Sequence, residues 1–283
     1  MTETATVDPP PDPQRQGAHR GPGMSAGDKV RLVLRGIGQT LITLGLVVLL
    51  FVVYEVWITN LFSERDNHRL ADKIEKQWTN GDDPLLPLPG NSSIKLGTGI
   101  ANLYLPRLGR DYHFSIVEGV NQADLAIGPG HYPATALPGA VGNFAVAGHR
   151  VGKGEPFLNI DKLRSGDAVI VETKTFWYVY RVLGVPSGSD PQKVTSQVPV
   201  AGGGNVQLPG REIVDPSAGR VLLPVPNHPR ERPAARLMTM TTCHPKFTAT
   251  QRMIVYSVLQ SKVTHTDNTL PPQIEALYNE VKA

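Results

Sequence analysis

The chain contains one cysteine, and its place in the sequence favours a nucleophile over a packed core residue. Cys243 closes the apolar run LMTMTTC (237–243), and a His-Pro dipeptide follows at once, where the proline ends the strand. An isolated cysteine in an apolar run is more often a small core residue. Here threonines stand beside the thiol, and their hydroxyls suit a polar groove better than a core. Thr241 and Thr242 are therefore candidate substrate-binding residues.

A thiol is mostly protonated at neutral pH, so a nucleophilic Cys243 needs a partner that takes its proton. His149 ends the run NFAVAGH (143–149) and so has the same strand-end position as Cys243. His244 is adjacent to the thiol, but neighbours along a strand point in opposite directions, so it is poorly placed to pair. A lone histidine is more often structural. We nevertheless predict His149 as the partner of Cys243.

Arg252 begins the strand-like run that follows the loop CHPKFTATQ (243–251). A hairpin across this loop would return the guanidinium to the thiol. There it could hold a substrate carbonyl and stabilise an oxyanion. An exposed arginine at a strand edge is the commoner use of this residue. Cys243, His149 and Arg252 together predict a site for covalent acyl transfer.

Other chemistry has no signature in the sequence. A single cysteine rules out an intramolecular disulfide and any multi-cysteine zinc site. There is no P-loop, GxGxxG or HExxH motif, and no metal-ligand set of Asp and Glu is visible. We therefore expect no metal and no cofactor. The net charge of +3 is small and diffuse, which argues against a nucleic-acid partner.

The segments that must position these residues are short β-type runs separated by Gly/Pro turns. They predict an all-β domain, a closed or nearly closed barrel with few helices. Lys174 and Thr175 indicate a tight hairpin between two of the runs. The runs are HFSIVEGV (113–120), NFAVAGH (143–149), AVIVET (168–173), FWYVYRV (176–182), LMTMTTC (237–243) and MIVYSVL (253–259).

Two further segments lie inside this region. EPFLNIDKLR (155–164) is the best helical candidate, with Phe157, Ile160 and Leu163 on one face. Residues 183–236 are rich in Gly and Pro, and we expect them to form a long loop beside the site.

The N-terminal part carries a candidate membrane span. Residues 36–54 contain no charge, and Trp57 adds an interfacial aromatic residue. Lys29, Arg31 and Arg35 lie on the N-terminal side, so the positive-inside rule predicts a cytoplasmic N-terminus. A secretory signal peptide is the alternative, but its apolar core is usually shorter and no small-x-small cleavage site follows.

The sequence therefore predicts a single-pass membrane protein with an extracellular domain. Its parts are a disordered cytoplasmic tail (1–28), a transmembrane anchor (29–58), a membrane-proximal helix at 63–78 with a linker (59–96), a catalytic β-barrel (97–260) and a C-terminal tail (261–283) with a last helix at 273–282.

Three segments together resemble the sortases, the cell-wall transpeptidases of Gram-positive bacteria. They are PGAVGNFAVAGHR (138–150), LMTMTTCHP (237–245) and QRMIVYS (251–257). The resemblance covers about residues 97–259. The family motif TLxTC reads TMTTC here, with Met240 in place of leucine. The extended forms GNFAVAGHR and TTCHP are most similar to class E, the housekeeping type of high-GC actinobacteria.

The resemblance implies an eight-stranded sortase β-barrel and a two-step acyl transfer. Cys243 would attack the threonine carbonyl of a C-terminal sorting signal on a surface protein, and His149 would protonate the leaving amine. A peptidoglycan-precursor amine, such as that of lipid II, would then take the acyl group. Arg252 would hold the carbonyl, and Thr242 would add a donor. Class E is associated with LAxTG rather than LPxTG signals, a preference for which we nominate Tyr112.

Three other interpretations stay open on the sequence alone. A cysteine peptidase would share every catalytic residue and differ only in resolving the thioacyl intermediate with water. A non-enzymatic, membrane-tethered barrel would bind a wall component. A pilin-polymerising sortase usually carries an Asp-Pro-aromatic lid motif, whereas the chain has Asp83-Pro84-Leu85, without the aromatic residue.

Overall fold

The computed structural model describes residues 25–54, 59–86, 93–152, 154–266 and 269–281. The chain forms two compact units, one ending at Val52 and the other beginning at Val53. The tail predicted at 1–28 falls mostly outside the described residues, which begin at position 25.

The first unit consists of the helix α1 (Ala26–Val53), which is 28 residues long. Its most apolar window has a mean hydropathy of 2.3, and none of that window is buried. About 20 apolar residues are needed to cross the hydrocarbon core of a bilayer. By length and composition α1 can therefore cross a membrane. It overlaps the predicted anchor at 29–58, of which positions 55–58 lie outside the described residues.

The second unit begins with the helix α2 (Thr59–Thr79), which starts four residues before the predicted helix at 63–78. Leu70 and Ile74 are buried against Val117 of the barrel. The side-chain amide of Asn67 donates to the Ser115 carbonyl at 3.3 Å. Apolar packing and this buried hydrogen bond hold α2 on the outside of the barrel.

Eleven strands follow within the described residues. They are β1 (Gly99–Tyr104), β2 (His113–Glu118), β3 (Gly130–His131), β4 (Gly142–Ala147), β5 (Ala168–Glu172), β6 (Phe176–Val182), β7 (Thr195–Pro199), β8 (Asn205–Pro209), β9 (Arg211–Val214), β10 (Arg236–His244) and β11 (Gln251–Thr264). All six predicted strand runs are confirmed, and so is the hairpin between β5 and β6.

Eight of these strands close a barrel in the order β10-β4-β3-β2-β1-β5-β6-β11, because β11 also pairs with β10. Closure pairs both edges of the sheet. The predicted eight-stranded barrel with few short helices is confirmed. β9 pairs with β11 but is not one of the eight strands that close the barrel. β7 and β8 form a separate two-stranded sheet.

Side chains alternate between the barrel interior and its outside, as the two-residue period of a strand requires. Met238 and Met240 of β10 lie in the interior core with Phe144 and Val146 of β4. Leu237 of β10 lies in a second apolar cluster. This alternation decides which face each functional residue occupies.

Residues 183–236 are more ordered than the predicted long loop. They contain β7, β8 and β9 and a 3₁₀ turn at Gly219–Leu222. Leu208 and Val221 of this segment pack with Ile254 and Tyr256 of β11 in the second apolar cluster. The Gly/Pro content of the segment reflects its tight turns and hides these short strands.

The predicted helix at 155–164 is wrong. The backbone N–H of Leu158 donates to Glu155, and that of Lys162 donates to Asn159, so the bonds span three residues rather than four. The segment therefore forms turns and a 3₁₀ helix at Ile160–Lys162. Its apolar residues are nevertheless buried in the barrel core: Phe157, Ile160 and Leu163.

A short helix, α3 (Gln122–Leu125), follows β2. The last helix, α4 (Pro272–Glu280), agrees with the one predicted at 273–282. It buries Ile274, Leu277 and Tyr278 against the outside of β5 and β6. Its carboxylates Glu275 and Glu280 pair with Arg110 and Arg181.

Candidate active site

The parallel pairing of β4 with β10 brings Cys243 and His149 together. The register pairs Ala147 with Thr241. One step further, the N–H of Gly148 donates to the Thr241 carbonyl at 3.0 Å, and the Thr242 hydroxyl donates to the Gly148 carbonyl at 2.7 Å. The next step along both strands sets His149 beside Cys243. The predicted partnership of these two residues therefore rests on strand register.

The backbone before His149 accepts only glycine without rearrangement. A Cβ on Gly148 would lie 2.5 Å from Cδ2 of the Phe157 ring. The N–H of Phe157 in turn donates to the His149 carbonyl at 3.0 Å. Phe157, itself buried, thus fixes the position of the histidine from behind.

Arg252 stands across the other edge of β10. The antiparallel β10–β11 ladder makes Cys243 and Arg252 direct partners, which confirms the predicted hairpin. Directly opposed residues place their side chains on one face of a sheet. Met253 and Val255 point into the barrel core, so Arg252 points outward. The same alternation puts Cys243 on the outer face, because Met240 points inward.

The thiol and its two partners are all half-buried. The Arg252 guanidinium is held by its own loop, since Nη1 donates to the carbonyls of Ala249 at 3.0 Å and Gln251 at 2.9 Å. An arginine carries five N–H donors in a fixed fork. The two bonds of Nη1 therefore fix the orientation of the guanidinium. Its other N–H groups remain able to bind a substrate oxygen.

A small cavity of about 80 Å³ adjoins Arg252 on the outer face. One wall comes from the barrel and the other from the 183–236 segment, so that segment lies beside the site as predicted. Its lining includes Tyr132, Thr241, Arg252, Val214, Val221 and Leu222. The walls carry both polar and apolar groups, and a cavity of this size fits a small side chain.

The cavity also carries a fixed negative charge. Hydrogen bonds from Ser217 lower the pKa of Asp215, and Arg252 adds a smaller electrostatic effect in the same direction. Asp215 is thus ionised at neutral pH and can help to orient the guanidinium.

Of the two threonines, Thr241 lies at the cavity and Thr242 does not. The Thr241 hydroxyl is 3.1 Å from that of Tyr132. The Thr242 side chain is 2% exposed, and its hydroxyl proton is used by the Gly148 carbonyl. In this arrangement that proton is not available to an oxyanion. Thr242 instead fastens β10 to the segment before His149.

The structure places Tyr112 behind the site rather than in the cavity wall. Its hydroxyl donates to the Pro156 carbonyl at 2.6 Å, and burial raises the pKa of its phenol. Tyr112 supports the turn that carries Phe157. Its nominated part in signal preference stays a prediction.

Sequence reasoning missed Tyr132, which directly follows β3. Nothing in the local pattern GHYPAT (130–135) distinguishes it. Its contact with Thr241 spans 109 residues and depends on the pairing of β3, β4 and β10.

A sortase domain model matches residues 103–260, more than half of the chain. Sortase SrtE1 of Streptomyces coelicolor is 35% identical over 250 residues, which are 86% of this chain. The chain spans 60% of the length of that relative. Sortase SrtE2 of the same organism is 29% identical over 262 residues, covering 90% of this chain and 92% of that protein.

The solved structures give the same assignment. The SrtF sortase from Corynebacterium diphtheriae has a TM-score of 0.54 and 36% identity, covering 68% of this chain and 98% of that chain. Sortases are cysteine transpeptidases. With the closed eight-stranded barrel, these similarities show that the chain belongs to the sortase family and resembles its class E members.

Proposed function

We propose that the chain is a membrane-anchored transpeptidase that attaches surface proteins to a cell-wall precursor. The observation that carries the proposal is the convergence of Cys243, His149 and Arg252 from three adjacent strands onto one outer face. Their types match the needs of thiol-dependent acyl transfer: a nucleophile, a proton carrier and a fixed positive charge.

In the first half-reaction the Cys243 thiolate attacks the threonine carbonyl of an LAxTG- or LPxTG-type sorting signal. The carbonyl electrons move to oxygen, and Arg252 stabilises the resulting negative charge. The tetrahedral intermediate collapses when the imidazolium of His149 donates its proton to the glycine nitrogen. The Thr–Gly bond breaks, the glycine amine leaves, and a thioester joins the threonine to Cys243.

In the second half-reaction an amine of a peptidoglycan precursor such as lipid II attacks the thioester. His149, now neutral, accepts the proton that the amine loses. The carbon–sulfur bond breaks, and the thiolate and imidazolium are restored. Resolution by water instead of an amine would make the same chain a cysteine peptidase.

The cavity beside Arg252 supports recognition of a small side chain in the sorting signal. Its volume of about 80 Å³ suits the small side chain of the alanine of an LAxTG signal. Thr241 would contact the bound peptide from the barrel side. We expect Tyr112 to affect the preference through the turn that it supports.

The candidate membrane helix α1 supports a lipid-linked cell-wall precursor as the amine acceptor. A lipid-linked precursor and an exported substrate both arrive at the outer membrane surface, where an anchored domain would meet them. The cationic residues in the N-terminal part of α1, Lys29, Arg31 and Arg35, favour a cytoplasmic N-terminus, which puts the catalytic domain outside. Asp83-Pro84-Leu85 lacks the aromatic residue of the lid motif. This supports attachment of proteins to the cell wall rather than pilus polymerisation.

The test is a transfer assay with the full chain in detergent. Fluorogenic LAxTG and LPxTG peptides are each incubated with and without an amine acceptor, beside Cys243→Ala. We expect LAxTG to be cleaved faster, an amine-linked product, and no cleavage by the variant. A hydrolysed product alone, whatever amine is supplied, would replace this proposal with the peptidase.

A further inference from the structure

A second pair of side chains bridges the same two strand ends. Arg150 follows His149, and His244 follows Cys243. The Arg150 Nη1 lies 2.9 Å from the His244 Nδ1, and the separation of 94 residues is the same as for Gly148 and Thr242. Neighbours along an extended strand point to opposite faces. The Arg150–His244 pair thus lies directly behind the Cys243–His149 pair.

Arg150 is also held by a second partner. Its side chain is 4% exposed, and Nη2 lies 3.2 Å from the Asp161 carboxylate. The Asp161 carbonyl accepts a hydrogen bond of 2.8 Å from Arg211 of β9. A buried guanidinium between two partners cannot shift without leaving its charge unpaired. The ends of β4 and β10 are thereby tied to the turn at Ile160–Lys162 and to β9.

The bond defines the protonation state of His244. A guanidinium has no acceptor atom, so Nδ1 of His244 must accept and its proton must reside on Nε2. Burial, followed by the charge of Arg150, lowers the pKa of His244. The other charged groups that act on it are Arg211, which lowers the pKa, and Asp161, which raises it.

We propose that Arg150 and His244 are positioning residues that hold Cys243 in register with His149. The inference rests on the catalytic roles proposed for those two residues. We call the Arg150–His244 pair the clamp. Each of its two residues is the immediate chain neighbour of a residue that reacts, His149 or Cys243. A displacement of about 1 Å in a reacting group can cost about 10²-fold in rate.

The clamp gives the site a pH dependence of defined sign. Unfolded His244 titrates near 6.5 and the folded side chain titrates lower. As the pH falls below 6.5 the unfolded chain binds the proton first, so this contribution to stability falls. At the lower, folded pKa the imidazolium faces the guanidinium of Arg150, the bond is lost and the rate falls with it.

The test compares Arg150→Gln, His244→Ala and His244→Asn in the full chain. The amide oxygen of asparagine can replace Nδ1 as the acceptor, whereas alanine cannot. We expect Arg150→Gln and His244→Ala to lower kcat by about 10- to 100-fold with KM within about twofold, because positioning is lost and peptide binding is kept. His244→Asn should retain most of kcat. Its kcat should fall less at low pH than the wild-type kcat does, because asparagine does not titrate.

Two controls separate positioning from stability and from the proposed function. Arg181→Gln removes another arginine–carboxylate pair, that with Glu280, and should lower the Tm without lowering kcat. The rate at which iodoacetamide alkylates Cys243 reports the thiol without any peptide, and we expect Arg150→Gln to slow it.

The following results would overturn the inference: a wild-type kcat in folded Arg150→Gln, equal losses in His244→Asn and His244→Ala, or losses that vanish when rates are expressed per folded molecule. If the wild-type chain cleaves no peptide, the proposed function fails. The alkylation rates still decide whether the clamp positions the thiol.

Discussion

At the residue scale, His149 and Arg252 lie on either side of Cys243 and have different proposed roles. The histidine lies on the strand that pairs in parallel with β10 and can exchange a proton with the thiol. The arginine lies on the antiparallel strand, and its charge does not change during the reaction. We therefore expect one partner to move a proton while the other supplies a fixed electrostatic field.

The forked geometry of Arg252 should matter more than its charge. In Arg252→Lys the ammonium cannot bond the Ala249 and Gln251 carbonyls and still present further donors in a plane. We expect kcat/KM for an LAxTG peptide to fall by about 10²- to 10³-fold, the usual cost of losing one oxyanion donor. Steady-state kinetics measure this loss.

The matched control is Arg181→Lys, which alters a half-buried arginine on β6. It should leave kcat/KM unchanged. If Arg252→Lys also kept full activity, a charge near the thiol would suffice and the aimed fork would have no role.

The strand-end positions of the three proposed catalytic residues could be predicted because each stands at one end of an apolar run. The residues around them could not. Tyr132 and the Arg150–His244 bond depend on pairings that join segments 94 to 109 residues apart. No local pattern encodes which strand will lie beside which.

At the element scale, the register of β4 against β10 decides whether a site exists. The side-chain period of a strand is two, so a slip of one residue would turn Cys243 into the barrel. The Thr242 hydroxyl, the Gly148 N–H and the buried Phe157 ring all oppose such a slip.

Gly148→Ala should disturb this register. The added Cβ would meet Cδ2, Cε2 and Cγ of the Phe157 ring at 2.5 to 2.8 Å. Overpacking of a core costs about 1–3 kcal/mol, so we expect a lower Tm together with a fall in kcat/KM as His149 is displaced. Thermal unfolding and peptide kinetics measure the two effects.

The double variant Gly148→Ala/Phe157→Leu tests the cause. A smaller, flexible side chain leaves room for the methyl group, so part of the lost activity should return. Strictly additive losses would show that the ring does not set the position of His149.

The strands were predictable because their apolar runs alternate or are bounded by Gly and Pro. The segment at 155–164 was not. Its apolar residues have helical spacing and are buried as such spacing implies, but tertiary contacts impose turns. The His149 carbonyl takes the N–H of Phe157, which a helix would have used elsewhere.

At the scale of the whole molecule, the barrel has its own apolar core. The unit that begins at Val53 contains the interior cluster of the barrel and the clusters under α2 and α4. Substrate cleavage and membrane attachment should therefore be separable properties.

Removal of residues 1–52 tests this separation. We expect peptide cleavage by the remaining unit to stay within about twofold of the full chain, because a compact unit with its own core can fold alone. Surface display of a reporter protein with an LAxTG signal should be lost in cells that carry only the shortened enzyme. Unchanged display would show that anchoring is not needed for the acceptor reaction.

We expect Cys243 to form a thioester with the threonine of the signal. Intact-mass spectrometry of the chain, quenched in acid soon after mixing with an LAxTG peptide and no amine, tests it most directly. We predict a mass increase equal to the LAxT acyl group, mapped by proteolysis to Cys243 and lost when an amine acceptor is added. Cleaved peptide with no adduct at any time, or an adduct that persists in Cys243→Ala, would contradict the account.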